Sequence, residues 1–127
     1  MKSFVSCLVI ASAFLIGSAN AQTAITVSMT NYAFIPSTLT LKAGETFRIH
    51  FSNDAGKGHD FSAREFFQFS TIAAADKSKL EDGEEVDLDG GQSEDITLTP
   101  NHPGTYPVTC THFMHSMLGM TGKIVVQ

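Results

Sequence analysis

The segment from Cys110 to Met120, CTHFMHSMLGM, carries one cysteine, two histidines and three methionines close to the end of the chain. Thiolate, imidazole and thioether groups are the soft and borderline ligands that copper prefers. The spacing Cys-x4-His-x4-Met allows a loop between two neighbouring strands to turn Cys110, His115 and Met120 toward one point. The alternative is a sulfur-rich piece of core that happens to carry histidines.

A further imidazole is available far upstream. His59 lies in the Gly-rich stretch NDAGKGHDFSA, which is typical of a loop. If this loop lies at the same end of the fold as Cys110, two histidines and a thiolate form a trigonal array with a weak axial thioether. That ligand set is typical of a mononuclear blue-copper site. Met117, two residues after His115, is the main rival to Met120 as the axial ligand.

The first residues indicate export. Lys2 precedes the apolar run FVSCLVIASAFLIG, and the small residues Ala19 and Ala21 stand at the −3 and −1 positions of a signal-peptidase site that is cut after Ala21. The alternative, an anchoring transmembrane helix, is disfavoured because the run is shorter than the roughly 20 residues that span a bilayer. We therefore predict a signal peptide over residues 1–21, a mature domain over residues 22–127 and a periplasmic location.

Cleavage at that point would leave Cys110 as the only cysteine, because Cys7 leaves with the signal peptide. A single thiol in an oxidising compartment cannot form an internal disulfide. It must be buried and inert, paired with another chain, or bound to a metal. Burial as a small apolar side chain is a common fate of cysteine, so Cys110 alone does not decide between these alternatives.

Acidic residues outnumber basic ones, with 13 Asp and Glu against 8 Lys and Arg and a net charge of −5. This balance gives no electrostatic reason to bind nucleic acid or an anionic membrane. The acidic run over residues 81–95, EDGEEVDLDGGQSED, is interpreted as a solvated face. A role in steering a basic partner is the less favoured alternative. We expect no membrane span in the mature chain, and we expect a monomer.

Alternation of apolar and polar residues dominates the mature chain, and a period of two predicts strands with one buried face. The alternating segments, separated by turn signals, are 25–29, 39–41, 47–51, 96–98, 106–110 and 124–126. They predict an all-β Greek-key sandwich or barrel of about seven or eight strands. Residues 63–80 break the rhythm and predict one short helix or an irregular excursion. His50 is predicted to be exposed on its strand without a partner, and His102, in a turn before Pro103, is predicted to be solvated.

Two stretches resemble the cupredoxins, the family of plastocyanin, azurin and rusticyanin. GTYPVTC…H…GMTGKIVV resembles their C-terminal copper loop and last strand, and NYAFIPSTLTLKAGETFRIHFSN resembles their N-terminal strands. The resemblance covers nearly the whole mature chain, and the spacing from Cys110 to Met120 is most similar to that of rusticyanin-like members.

The resemblance implies one type 1 copper ion with His59, Cys110 and His115 as equatorial ligands and Met120 as the axial ligand. It also implies a tie between the residue after the first histidine and the residue after the cysteine. Here these are Asp60 and Thr111, whereas the family more often has asparagine at the first of the two positions.

We interpret the protein as a one-electron carrier and not as an enzyme, with a transient redox partner docking in an apolar patch near His115. The rival hypothesis is copper buffering or delivery, because His112, Met114 and Met117 add further soft ligands to the loop. Phe113 and Met114 could instead pack, and a lone loop histidine such as His112 is by default solvated. A catalytic copper subunit is disfavoured because the chain offers no clear ligand set for a second, open copper site.

Overall fold

The computed structural model describes residues 22–127. The predicted signal peptide, with Cys7, lies outside the described residues. The described part contains ten strands: β1 Thr23–Thr30, β2 Ala33–Ile35, β3 Thr38–Leu41, β4 Phe47–Asn53, β5 His59–Ser62, β6 Ser70–Ile72, β7 Glu85–Leu88, β8 Ser93–Pro100, β9 Gly104–Thr109 and β10 Thr121–Val126. One α-helix, α1 Arg64–Gln68, and two 3-10 turns, Ala74–Lys79 and Ser116–Leu118, complete the fold.

The strands form two five-stranded sheets. One has the order β2-β1-β4-β8-β6 and the other the order β3-β10-β9-β5-β7. Strand β1 pairs in parallel with β4, and β10 pairs in parallel with β3, so the chain crosses between sheets rather than forming hairpins only. The two-sheet, all-β prediction is confirmed.

The strand count is higher than the seven or eight predicted. Strands β2 and β6 contain three residues each, too few for alternation to be visible. Strand β5 is buried on consecutive residues and therefore shows no period of two. Strand β7 does alternate, with Val86 and Leu88 buried, but it lies in the acidic run that was interpreted as a solvated face.

The core lies between the two sheets and is filled by the apolar members of the alternating segments. Ile49 and Phe51 of β4, Ile96 of β8 and Ile124 of β10 are fully buried. Burying such a side chain completely stabilises the fold by about 1.5–3 kcal/mol. Since every second residue of these strands enters the core, the alternation specifies which face of each sheet turns inward.

The excursion over residues 63–80 is only partly helical. It contains α1, then strand β6, then a 3-10 turn. Phe66 and Phe67 of α1 are buried and pack edge-on against Tyr106 and Phe61 respectively. These aromatic contacts attach the short helix to the second sheet.

The prediction that His50 has no partner was wrong. Its Nδ1 lies 2.9 Å from Asp95 Oδ1, while Arg48 Nη2 donates to Asp95 Oδ2 over 2.9 Å. His50 and Asp95 face one another across β4 and β8, a register that the sequence does not reveal. His102 is exposed, as predicted, although its ring lies 4.9 Å from that of Phe69.

Candidate metal centre

Three elements deliver the predicted ligands to one end of the sandwich. His59 is the first residue of β5, Cys110 directly follows β9, and Met120 directly precedes β10. The backbone N–H of Cys110 donates to the carbonyl of Met120 over 3.2 Å, and β9 and β10 pair from Thr109 and Thr121 onward. The loop that carries the motif is therefore closed at its base by the antiparallel ladder.

The Gly-rich stretch before His59 forms a braced loop. The side-chain amide of Asn53, which is buried, donates to the carbonyls of Lys57 and Leu88 over 2.8 and 2.9 Å. A Cβ at Gly90 would lie 2.7 Å from the backbone of Gly56, so only glycine allows the two segments to approach so closely. These contacts hold the entry to β5, and with it the position of His59.

His59, Cys110 and His115 converge. The Nδ1 atoms of the two histidines lie 3.1 Å apart, and Cys110 Sγ lies 3.4 Å from His115 Nδ1 and 3.8 Å from His59 Nδ1. The centre of that triangle lies about 2.0 Å from each corner, close to the bond lengths of about 2.0–2.3 Å that imidazole and thiolate make to Zn²⁺. The donor set thus fits a first-row metal ion.

The two candidate thioethers differ in exposure. Met120 is 0% exposed, and its backbone N–H donates to the carbonyl of His115 over 3.0 Å. Met117 is 80% exposed, so its side chain projects into solvent. This difference favours Met120 over Met117 as the axial ligand.

The loop is tightly wound. The N–H of Leu118 donates to the carbonyls of Met114 and His115, both over 3.1 Å. Gly119 ends the 3-10 turn with φ of 93°, a left-handed conformation that glycine adopts without a steric penalty. The loop is therefore held by its own backbone hydrogen bonds.

Burial sets the protonation preferences of the site. Burial lowers the pKa of His59, and the neighbouring His115 lowers it further. Burial also raises the pKa of the Cys110 thiol. Without a metal, the site therefore favours neutral imidazole and a protonated thiol, and a binding cation must displace the thiol proton.

Asp60 ties the two halves of the site together. Its Oδ1 accepts from the backbone N–H of Thr111 over 2.9 Å, and its Oδ2 accepts from the Thr111 hydroxyl over 2.6 Å. Because Asp60 follows His59 and Thr111 follows Cys110, these bonds fix the separation of two predicted ligands. The predicted tie is confirmed, with the carboxylate serving as a double acceptor.

His112 is not the solvated loop histidine that the sequence predicts. Its Nε2 lies 3.1 Å from Asp87 Oδ1, and its ring is stacked on that of His115 with centroids 5.6 Å apart. Sequence reasoning missed Asp87 because it lies in the acidic run, where nothing distinguishes it from its neighbours. Its place beside the site follows from the pairing of β5 with β7, in which Asp87 lies opposite Asp60.

Sequence reasoning also missed two residues of the turn between β1 and β2. The ring of Tyr32 packs edge-on against His115 with centroids 5.2 Å apart. The side-chain oxygen of Asn31 lies 3.5 Å from Nε2 of His59. No spacing in the sequence links this turn to the C-terminal loop, so only the fold brings the two together.

Apolar side chains of the loop are exposed around the partly buried His115. We call this the loop patch, formed by Phe113, Met114, Met117 and Leu118. Phe113 is 88% exposed, so the suggestion that Phe113 and Met114 pack inward was wrong. Contiguous exposed apolar surface of this kind marks interaction sites.

A family model described as "Cupredoxin-like domain" matches residues 3–126. The chain belongs to the cupredoxin-like family. Two curated relatives are chloroplastic plastocyanins. The plastocyanin of Pisum sativum is 33% identical, and the match covers 99% of this chain and 72% of that protein. The plastocyanin of Fritillaria agrestis is 34% identical, and the match covers 74% of this chain and 52% of that protein.

Solved structures share the cupredoxin fold at lower identity. Dithionite-reduced auracyanin from Roseiflexus castenholzii has a TM-score of 0.62 at 24% identity, with 84% of this chain and 98% of that chain covered. Auracyanin A from Chloroflexus aurantiacus, described as a "blue" copper protein, has a TM-score of 0.56 at 22% identity over 82% and 99%. A multicopper oxidase from Campylobacter jejuni has a TM-score of 0.60 at 11% identity over 85% and 31%.

Proposed function

We propose that this cupredoxin is a one-electron carrier with a single type 1 copper ion held by His59, Cys110, His115 and Met120. The observation that carries the proposal is the triangle of two imidazole nitrogens and one sulfur with edges of 3.1, 3.4 and 3.8 Å. The likeness to plastocyanins supports it. Copper supplies the one-electron couple between its +1 and +2 states.

The chain contributes rigidity. Backbone hydrogen bonds join Cys110 to Met120 and Met120 to His115. The carboxylate of Asp60 accepts a hydrogen bond from the backbone of Thr111. A ligand set held in this way cannot relax far when the charge of the ion changes. Little reorganisation then accompanies electron transfer, which is the property that a carrier needs.

His115 is the proposed exit for the electron. It is only partly buried, whereas His59 is fully buried, so His115 is the imidazole ligand nearer to solvent. The loop patch surrounds it with apolar surface, which a transient redox partner can cover without desolvating charged groups. We propose docking of that partner on the loop patch.

A carrier is favoured over an enzyme. The multicopper oxidase that shares the fold is matched over only 31% of its length, so this chain corresponds to one part of that molecule. A carrier requires no general acid, base or open coordination position for a substrate. We propose that the protein acts without catalysing a reaction of its own.

We further propose a monomer that is exported to the periplasm after removal of residues 1–21. The apolar run and the small residues before the cleavage point support export. Among residues 22–127, no helix is both long and apolar enough to cross a membrane. Mass spectrometry of the secreted chain should give an N-terminus at Gln22, and gel filtration should give the mass of a single chain.

Cyclic voltammetry of the copper-loaded protein tests the carrier function. We expect one tightly bound copper per chain, a reversible one-electron wave and an unchanged visible spectrum after reduction and reoxidation. Loss of copper on reduction, or an irreversible wave, would contradict a carrier role.

Copper buffering or delivery is the second candidate, because Met114 and Met117 present exposed thioethers, the ligands that suit Cu(I). Titration with Cu(I) separates the two functions. A carrier binds one tight equivalent, and His112→Ala leaves that number unchanged. A second tight equivalent of Cu(I), lost in His112→Ala, would support copper handling instead.

A further inference from the structure

A second group of metal-ligating side chains lies beside the proposed copper site, where β5 pairs with β7. Asp60 and Asp87 are opposite one another in the register of these strands. Nε2 of His112 lies 3.1 Å from Asp87 Oδ1 and 3.7 Å from Asp60 Oδ2. One ligand atom from each of the three side chains lies within 4.8 Å of the other two.

The ionisable side chain that lies near both carboxylates is His112, which is not permanently charged. Like charges directly opposite on paired strands destabilise the sheet, and Asp60 is only 1% exposed. Its hydrogen-bond donors both belong to Thr111, which is neutral. Within residues 22–127, no lysine or arginine forms an ion pair with Asp60 or Asp87. The geometry therefore leaves a place for a cation.

We propose that Asp60, Asp87 and His112 bind a divalent first-row cation, of which Zn²⁺ and Cu²⁺ are the best suited. One imidazole and two carboxylates form a borderline ligand set that such ions prefer, whereas Mg²⁺ and Ca²⁺ prefer oxygen ligands alone. Asp87 and His112 reach the surface, so the ion enters directly from solvent and keeps water at its remaining positions. Three ligands at a partly open site bind more weakly than the enclosed copper site.

This cation site is coupled to the copper site, and the coupling rests on the proposed function. The ring of His112 stacks on that of His115, and Asp60 follows His59 in sequence and holds Thr111 next to Cys110. A positive charge placed here disfavours Cu²⁺ more than Cu⁺, because the repulsion grows with the charge of the copper ion. Binding of the second cation therefore raises the reduction potential, and reduction of copper tightens the binding of the second cation.

Zinc binding to the copper-loaded protein tests the site. Equilibrium dialysis with metal analysis should give one zinc per chain for the wild type. Asp87→Asn should weaken that binding at least about tenfold, since it removes an anionic ligand. Asp89→Asn is the matched control, because Asp89 is an exposed carboxylate two residues further along the same segment. Its zinc binding should equal that of the wild type.

Two further readouts keep the outcome decisive. His112→Ala should weaken zinc binding at least as much as Asp87→Asn does, while circular dichroism confirms that each variant is folded. Zinc should raise the reduction potential of the wild type and of Asp89→Asn but leave that of Asp87→Asn unchanged. Equal zinc binding by Asp87→Asn and Asp89→Asn would overturn the site, and zinc binding without a change in potential would overturn the coupling. A failure of the copper centre itself is distinguishable, because it would appear as a missing visible band before any zinc is added.

Discussion

Two clusters of histidine and aspartate differ in their surroundings: Asp95 with His50, and His112 with Asp60 and Asp87. On the first sheet, Asp95 meets both His50 and Arg48 at 2.9 Å, and the arginine supplies a permanent positive charge. Beside the proposed copper site, Asp60 and Asp87 both lie near His112, and the buried Asp60 also accepts hydrogen bonds from Thr111. Asp95 therefore has a permanently charged partner, whereas the buried carboxylate of Asp60 ties β5 to the loop between β9 and β10 through Thr111.

The difference teaches that burial, more than residue type, decides what a polar group does here. A hydrogen bond to a buried carboxylate is retained because water cannot replace it, while an exposed ion pair competes with solvent. The same contrast separates Met120 from Met117. The predictions below therefore compare substitutions at buried or conformationally restricted residues with substitutions at more exposed or less restricted ones.

The largest effect is expected at Asp60. Asp60→Ala removes the acceptor of two charge-assisted bonds from Thr111, each worth about 1.5–3 kcal/mol. We expect a loss of about 3 kcal/mol in the free energy of unfolding, measured in urea, together with weaker retention of copper. Thr111→Val removes only the hydroxyl bond and should lose about half as much. Equal losses in the two variants would show that the backbone bond contributes nothing.

Substitution of Met120 and Met117 should show which of the two is the axial copper ligand. Met120→Leu should shift the reduction potential and keep the visible colour, because a weak axial thioether tunes the potential more than it anchors the ion. Met117→Leu should leave both quantities nearly unchanged, since Met117 projects into solvent. The opposite pattern in voltammetry would assign the axial role to Met117.

A smaller effect is expected from the backbone of the loop. Gly119 has φ of 93° with open space around it, so Gly119→Ala introduces strain without a clash. We expect a loss of about 1–2 kcal/mol in the free energy of unfolding. Gly56→Ala, which also meets open space but has no such φ, is the control and should change stability little. A neutral Gly119→Ala would mean that the loop rearranges easily.

The smallest effect is expected at the exposed cluster. Hydrogen bonds from Arg48 and His50 lower the pKa of Asp95 in the folded protein. The stabilisation is therefore present above the unfolded pKa near 3.9 and is lost as the pH falls through the lower folded value.

Because Asp95 is partly exposed, solvent screening limits this contribution to about 0.2–1 kcal/mol. Urea unfolding of Asp95→Asn and the wild type between pH 7 and pH 2 should show two stability curves that converge at the acidic end. Curves that stay parallel over the whole range would exclude this linkage.

The alternating strands and the C-terminal ligand spacing were readable from the sequence because both are local patterns. The spacing of two between Ile49 and Phe51 indicates a buried strand face. Cys110, His115 and Met120 lie within one short segment of the chain. Contacts between distant segments were not readable. The pairing of His50 with Asp95 and of His112 with Asp87 depends on strand register, which alternation alone does not specify.

Exposed apolar surface near His115 was expected from the sequence, but the exposure of Phe113 was not. Apolar residues such as Phe113 ordinarily predict burial. Phe113 is nevertheless 88% exposed, which only the folded structure shows.

The absorption spectrum of copper-loaded wild type beside Cys110→Ser tests the central claim most directly. The wild type should show an intense visible charge-transfer band, because the thiolate of Cys110 donates to Cu²⁺. Cys110→Ser should lose that band while its circular dichroism keeps the β-sheet signal of the wild type. A band that survives in Cys110→Ser, or a wild type that binds copper without one, would contradict the proposed copper centre.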